Sequence, residues 1–471
     1  MTETKNTIAD IKFGTDGWRG IMARDFTFDN VRRVAQAIAE YLKSLPPKAR
    51  GSGAVIVGYD QRFQSDAFAH EIARILQGNG LKPVLTAEAL PSPAVSMLTA
   101  KEKAHGVVVT ASHNPASWNG VKIKLEGRGA PDRVTKAVEG FLDKSNPVRD
   151  GEVPRKSYRK AYLDHLKSRV NPKPIAAKLK RPAVIDYLYG CGIGILEELV
   201  PSKKLIAIHN RRDPLFGGLD PEPIEKNLKE LAARVLAEKA FIGIALDGDA
   251  DRIAIIDEKG RYLTPCQVFP ILLEYLITRR GIKGKIVQSV SMGALSARIA
   301  KAHGLPFEEL PVGFKHVGEQ IASGQAVVGG EESGGYAWKG GGPERDGLLI
   351  ALLFLEMCTK LNKTPGELWA EIESKYGKSA FTRVDFHIHK PVTDKALFTQ
   401  RLLKRLPKKV LGLAIQRTLD LDGLKVILEG DHWVLMRPSG TEPLIRTYAE
   451  SDSPKRTQEL LQLAQKWVHG H

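Results

Sequence analysis

Four times along the chain a short apolar run ends abruptly in a loop crowded with small and polar residues: GVVVT–ASHNP (106–115), FIGIAL–DGDADR (241–252), AVV–GGEESGG (326–335) and WVLM–RPSGTEP (433–443). A short apolar run bounded by turn-forming residues is the pattern of a buried strand. Open α/β sheets place ligands beyond the carboxyl ends of their strands. The repetition therefore points to several α/β segments, each presenting one functional loop, and to a single site built where the segments meet.

Between the junctions the spacing turns helical. Val31, Val34, Ala35, Ile38, Leu42 and Leu45 fall on one helical face, with Asp29 the predicted cap. After a strand at GAVIVGYD (53–60), Phe68, Ile72, Ile75 and Leu76 mark a second helix, capped by Ser65. Val134, Val138, Phe141 and Leu142 mark a third, beyond the strand at 106–110. Such alternation argues for an α/β architecture. Turn-rich breaks at DKSNPVRDGEVP (143–154), DEKGRYLTP (257–265) and SKYGKSAFTRV (374–384) divide the chain. The predicted domains are 1–150, 151–258, 259–375 and 376–471, compatible with a chain of 471 residues at roughly 150 or fewer per domain. The last has strands near FTRVDFHI, LKVILEG and HWVLMR and ends in a helix carrying Leu460, Leu461, Leu463, Ala464, Trp467 and Val468. That order predicts α+β rather than a parallel sheet.

Composition removes several classes of function. The net charge is +16, but the basic residues are spread, and no basic run has the interleaved aromatics that stack bases. No nucleic-acid partner is expected; the field could still draw in a small anionic substrate. The three cysteines, Cys191, Cys266 and Cys358, are too far apart for a zinc knuckle or a disulfide scaffold. The opening MTETKNTIADIKF lacks a signal-peptide layout, and no apolar run approaches the ~20 residues of a membrane span. A cytoplasmic protein without a membrane partner is expected.

Each loop has its own chemistry. In DGDADR, Asp247, Asp249 and Asp251 alternate, and carboxylates so close repel unless a cation sits among them. Oxygen-only ligands favour a hard ion such as Mg²⁺. The EF-hand reading fails because Arg252 stands where the turn needs glycine. A phosphoryl-accepting aspartate and a solvated acidic turn stay open. RPSGTEP offers the planar fork of Arg437, the hydroxyls of Ser439 and Thr441 and the close backbone approach of Gly440, a set suited to a phosphate dianion. In GGEESGG, Glu331 and Ser333 could bond sugar hydroxyls, or the loop could be an exposed hairpin. GCGIG (190–194) has its third glycine one residue early for a dinucleotide fingerprint and reads as a tight strand–helix turn. Ser112 is either a turn residue or a nucleophile. His113 and Lys122 nearby, with a metal loop and a phosphate clamp elsewhere, are the parts phosphoryl transfer needs.

FGTDGWRG (13–20), TASHNP (110–115), DGDADR, GGEESGG and RPSGTEP, in this order and over nearly the whole chain, resemble the motifs of the α-D-phosphohexomutases. The resemblance implies three similar α/β domains with mixed sheets and a C-terminal α+β domain around a central active-site cleft. It implies that Ser112 is the phosphoserine, and that Asp247, Asp249 and Asp251 hold Mg²⁺ together with an oxygen on that serine. Glu331 and Ser333 would hold sugar hydroxyls. Arg437, Ser439, Gly440 and Thr441 would clamp the non-reacting phosphate. Arg19, His113, Lys122 and Arg252 would surround the reacting group, with Lys122 a candidate for proton transfer. The implied substrate is a phosphosugar, the implied intermediate and activator glucose 1,6-bisphosphate, and the implied assembly a monomer or homodimer. Branches preferring mannose or glucosamine phosphates often carry a histidine where this chain has Gly334-Gly335. The paired glutamates and Lys315 in VGFKHV (312–317) are similar to the glucose-preferring branch. The expectation is a phosphoglucomutase, with phosphomannomutase, phosphoglucosamine mutase and a catalytically silent phosphosugar-binding protein as alternatives.

Overall fold

The computed structural model describes residues 11–14, 16–439 and 443–469. The chain forms two compact units, Met1–Tyr262 with Gly335–Pro365, and Leu263–Gly334 with Gly366–His471.

The first unit contains two mixed sheets. In the first, the order is Phe13–Gly14, Gly17–Ile21, Trp118–Leu125, His105–Val109, Ala54–Tyr59, Lys82–Thr86, Arg155–Lys156. Ala54–Tyr59 runs parallel to both Lys82–Thr86 and His105–Val109, while Trp118–Leu125 is antiparallel to His105–Val109 and to Gly17–Ile21. Strand side chains alternate between faces. Val55, Val57, Val107 and Val109 join the core with Val34 and Ile38 of helix Phe28–Ser44 and Phe68 and Ile72 of helix Ser65–Gly78. Gly58 and Gly106 lie under Val95 of helix Ser92–Glu102. Lys122 and Lys124, in register with Val108 and Gly106, belong to that second face. The second sheet runs Leu205–Ile208, Ala183–Asp186, Ile242–Leu246, Ile253–Ile256, parallel except for its last strand.

Two predicted caps are displaced. Thr27, not Asp29, caps the first helix: its backbone is extended and its side chain accepts from the Asn30 N–H. Asp29 already lies in the first turn, where it pairs with Arg32 at 2.7 Å. Ser65 is the first residue of its helix rather than the cap, and its hydroxyl instead donates to Asp60 at 2.7 Å.

Helix Gly347–Leu361 is buried over nearly all its length, as a sequence apolar on every side requires. Asp346 caps it, accepting from the Leu349 N–H at 3.0 Å and from the Tyr162 hydroxyl at 2.9 Å. Burial pushes the Asp346 carboxyl up to about 7, against the hydrogen bonds it accepts. The folded state therefore keeps a proton that the unfolded chain has released between about pH 4 and pH 7, so this group's contribution to stability falls as pH rises through that window. A shift of about three units corresponds to about 4 kcal/mol in total. Denaturant midpoints measured from pH 4 to pH 7 should fall less steeply for Asp346→Asn than for the parent chain.

In the second unit, Phe307–Leu310, Ile286–Ser289 and Val328–Glu331 run parallel, with helices Pro265–Arg280, Leu295–Ala302 and Phe314–Ala322. A second sheet, in the order Ala380–His387, Leu444–Ser451, Trp433–Pro438, Leu424–Leu428, Leu413–Leu419, Lys409–Val410, is antiparallel throughout. Helices Lys395–Arg405 and Pro454–His469 pack on it through Leu402, Leu460, Leu461 and Ala464. The C-terminal segment is thus α+β, and the preceding segments are α/β, as the strand order predicts. Among the described residues no helix is long and apolar enough to cross a membrane, and the three cysteines are free and buried.

Candidate active site

The loop after strand His105–Val109 is built around one side chain. Arg62 is fully buried, and its guanidinium donates to four backbone carbonyls: Ser112 (2.8 Å), Asn114 (2.6 Å), Pro115 (2.8 Å) and Trp118 (3.0 Å). Asp60 fixes Arg62 from behind at 3.1 Å, and the Phe216 ring stacks on the guanidinium at 4.9 Å. Arginine's rigid fork of donors makes this arrangement possible, since carbonyls in an irregular buried loop must find partners. Ser112 sits at the turn in the left-handed region, φ +54°. Few non-glycine residues adopt that conformation, and those that do cluster at functional sites. Its N–H bonds to Thr110 Oγ1 at 2.8 Å, and its own Oγ donates to Asp247 Oδ2 at 2.8 Å and lies 3.3 Å from His113 Nδ1.

The aspartate loop follows strand Ile242–Leu246, and three backbone donors hold it. The N–H groups of Cys191, Ser92 and Gly347 each donate at 3.0 Å, to the carbonyls of Gly248, Asp249 and Ala250 in turn. Gly248 has to be glycine, because a Cβ there would lie 2.6 Å from the Ser112 carbonyl oxygen. Gly190, the first glycine of GCGIG, carries the loop from below: a Cβ there would meet the carbonyls of Asp247 and Gly248 at 2.8 Å. The turn between strand Ala183–Asp186 and helix Ile195–Leu199 is thus a support for the aspartates, not a dinucleotide loop.

Asp247, Asp249 and Asp251 are all buried and offer ligand oxygens within 4.8 Å of one another. Burial, then the Asp251 and Asp249 charges, push Asp247 well above the usual carboxylate range. Asp249 Oδ1 and Asp251 Oδ1 are buried without a hydrogen-bond partner among the described residues. Crowded carboxylates with orphaned oxygens fit a hard divalent cation.

Cations surround this cluster. Lys122 Nζ lies 2.7 Å from Asp16, 2.8 Å from Asp249 and 3.3 Å from Asp251. Burial alone would lower its pKa; the three carboxylates override burial and raise it, so the ammonium is held charged. Arg345 Nη2 bridges Asp16 (2.9 Å) and Asp251 (3.0 Å). Burial would raise Asp16, but Lys122 and Arg345 hold it well below its ordinary value. Arg19 donates to Asn114 Oδ1 at 2.5 Å on the serine loop, and Arg252 lies 3.9 Å from Asp251 and 3.8 Å from Glu222. Burial, then Arg252, Arg19 and Lys122, push His113 well below its ordinary pKa, so it stands neutral at pH 7. The first unit therefore brings together Ser112, His113, Lys122, Arg19, Arg252 and the three aspartates.

The second unit carries the other predicted residues in two loops. Glu331 ends strand Val328–Glu331 and accepts from the Ser333 hydroxyl; the Gly334 N–H closes the turn onto the Glu331 carbonyl at 3.1 Å. Glu332 faces Arg383 at 3.6 Å, and burial raises its pKa despite that partner. Lys315 lies in the first turn of helix Phe314–Ala322. Arg437 ends an antiparallel strand with Nε on Asp422 at 2.5 Å, which fixes the plane of its fork, and the Ser439 N–H donates to the Leu444 carbonyl at 3.0 Å. Gly440 and Thr441 lie outside the described residues.

Comparison with known proteins places this geometry. Residues 10–149, 160–260 and 264–376 match the alpha/beta/alpha domains I, II and III of phosphoglucomutase/phosphomannomutase, and residues 391–464 match its C-terminal domain. The chain belongs to this family. Like its relatives in the α-D-phosphohexomutase superfamily, it is a mutase, an isomerase by class. A phosphoglucomutase/phosphomannomutase of Thermococcus kodakarensis is 31% identical over 467 residues, 96% of this chain and 97% of the relative. A phosphoglucosamine mutase of Carboxydothermus hydrogenoformans is 30% identical over 95% of this chain and 97% of its own. Among solved structures, a protein from Thermus thermophilus assigned as a phosphomannomutase superposes with a TM-score of 0.86 at 33% identity, covering 98% of this chain and 100% of that one.

The sequence reading of this mutase passed over Asp60, Arg62 and Arg345. For the first two there was a signal: Asp-x-Arg directly after a buried strand puts a charged pair where a solvated loop would not need one. For Arg345 there was none, since only the fold brings the start of helix Gly347–Leu361 to the aspartates.

Proposed function

We propose that this mutase interconverts hexose 1-phosphates and hexose 6-phosphates through a phosphoryl group carried on Ser112, with glucose phosphates preferred. The observation that carries the reading is Ser112 itself: a serine in a left-handed turn, 2.8 Å from one of three buried aspartates and ringed by Lys122, Arg19 and Arg252. In the forward transfer an O–P bond forms to the free sugar hydroxyl as the Oγ–P bond of Ser112 breaks, and the hydroxyl proton ends on Ser112 Oγ. The resulting 1,6-bisphosphate returns its other phosphoryl group to Ser112 by the reverse step. Such a transfer depends chiefly on positioning and on charges fixed in advance.

The residues divide the work accordingly. Asp247, Asp249 and Asp251 would hold Mg²⁺, which when bound supplies positive charge beside the transferring group. Arg62 holds the serine loop rigid through its four carbonyl bonds. Arg19 and Arg252 offset charge on the phosphoryl oxygens. Lys122 keeps Asp249 and Asp251 ionised and stands as a proton donor. His113, neutral beside the Ser112 hydroxyl, can accept a proton. Glu331 and Ser333 hold sugar hydroxyls, Lys315 helps select the sugar, and Arg437, Ser439, Gly440 and Thr441 clamp the distal phosphate. The four segments with borders near 150, 258 and 375 each contribute one loop.

Preference for glucose rests on Glu331 and Glu332 with Gly334-Gly335 in place of a histidine. Its test is kcat/KM for glucose, mannose and glucosamine 1-phosphates with Mg²⁺ and a trace of glucose 1,6-bisphosphate. Glucose 1-phosphate should lead; a higher value for either competitor moves the assignment to phosphomannomutase or phosphoglucosamine mutase. Chelation should abolish turnover, and added Mg²⁺ should restore it.

A further inference from the structure

The first unit holds a cavity of about 530 Å³ that none of the catalytic residues lines. Helix Ser92–Glu102 contributes Met97 and Lys101, helix Arg159–Arg169 contributes Ala161, His165 and Arg169, and residues 341–346 close it. The volume falls within the range of metabolite pockets, and the lining has their usual mix of apolar walls and a few polar groups.

Charge is unevenly placed in it. Lys101 and Arg169 both bear on His165: after burial, they are the charges that push its imidazole down to about 4, while the Gly341 backbone accepts its hydrogen bond. These groups give one end a positive potential. The acids of the lining are engaged elsewhere. Glu344 Oε2 accepts from Lys124 Nζ (2.7 Å) and Ser96 Oγ (2.9 Å), and Asp346 accepts from Tyr162 and Leu349. Asp164 is paired with Lys160 at 2.6 Å.

We propose that this cavity binds a small organic phosphate monoester, its phosphate against Lys101, His165 and Arg169 and its uncharged body against Met97, Ala161 and Pro343. Two cations with an imidazole between them suit a dianion better than a single carboxylate. Glu344 and Asp346 disfavour a second anionic group, which argues against bisphosphates. The occupant would also be felt at the aspartate cluster. Glu344 precedes Arg345, which bridges Asp16 and Asp251, and its partner Lys124 lies two residues beyond Lys122 on one strand face. Ordering of 341–346 by a ligand therefore biases Arg345, and the proposal adds to the mutase reading a regulatory site of its own.

The test is calorimetric titration of the full chain with glycerol 3-phosphate, too short to serve as a hexose substrate. Saturable binding should survive Arg437→Ala, which removes the proposed substrate clamp. It should weaken about tenfold or more in Lys101→Ala, the loss of one charge-assisted contact, and vanish when Ala161→Trp fills the cavity. Lys101 is exposed, so its removal leaves folding and unliganded mutase activity unchanged. Binding that disappears in Arg437→Ala while ignoring Lys101→Ala would belong to the substrate clamp and overturn the proposal, as would the absence of saturable binding to the parent chain. Neither outcome touches the mutase reading, which is read by turnover alone.

Discussion

Ser112→Ala should lower kcat by about a thousandfold or more, the scale expected for loss of a covalent catalyst. The change is well isolated. Alanine fills the same space, and the left-handed φ of +54° is as available to alanine as to serine, so the backbone has no new strain to relieve. The one bond lost with the hydroxyl is its donation to Asp247, a group already crowded by Asp249 and Asp251. Folding should therefore be intact by circular dichroism and by denaturant midpoint while turnover collapses. Turnover preserved in a folded Ser112→Ala protein would remove the serine from the mechanism.

Arg62→Met should cost about 3–5 kcal/mol of stability, the usual consequence of removing one partner of a buried ion pair. Asp60, itself buried, would keep a carboxyl with no cation, and burial already raises its pKa with the arginine present. Four carbonyls of the serine loop would lose their donor together. A second substitution, Asp60→Asn, should return part of the stability, because it removes the uncompensated charge. It should not return activity, since the carbonyls of Ser112 and Asn114 would still lack their anchor. Paired measurements of denaturant midpoint and kcat in the single and double variants separate the two effects. Equal recovery of both would mean that Arg62 serves the fold alone.

How much of this was readable in the sequence differs from loop to loop. The aspartate loop was legible because three carboxylates two residues apart, directly after an apolar strand, leave few physical options. Ser112 was legible only in company: its own loop is compatible with an ordinary turn, and the metal loop and Arg437 tipped the reading. The cap assignments at Asp29 and Ser65 failed because a local preference was outbid by a distant partner in the second case and by a threonine two residues earlier in the first. In the C-terminal segment the reading found strands at Ala380–His387, Leu424–Leu428 and Trp433–Pro438 but passed over Leu413–Leu419 and Leu444–Ser451. Leu413–Leu419 is half exposed and polar at alternate positions, so its apolar signal is weak. The charge lattice of Asp16, Lys122, Asp251 and Arg345 joins residues more than 300 positions apart, and no spacing rule reaches that far. GCGIG illustrates the opposite case, where a motif-like string has a structural explanation that only the close approach of Gly190 to the aspartate loop supplies.

The measurement closest to the centre of the account is peptide mapping by mass spectrometry after incubation with glucose 1,6-bisphosphate and Mg²⁺. One phosphoryl group should appear on the peptide containing Ser112 and nowhere else, and a chase with glucose 1-phosphate should remove it as bisphosphate forms. Sustained turnover with that peptide unmodified, or with the label on Asp247 instead, would contradict the account.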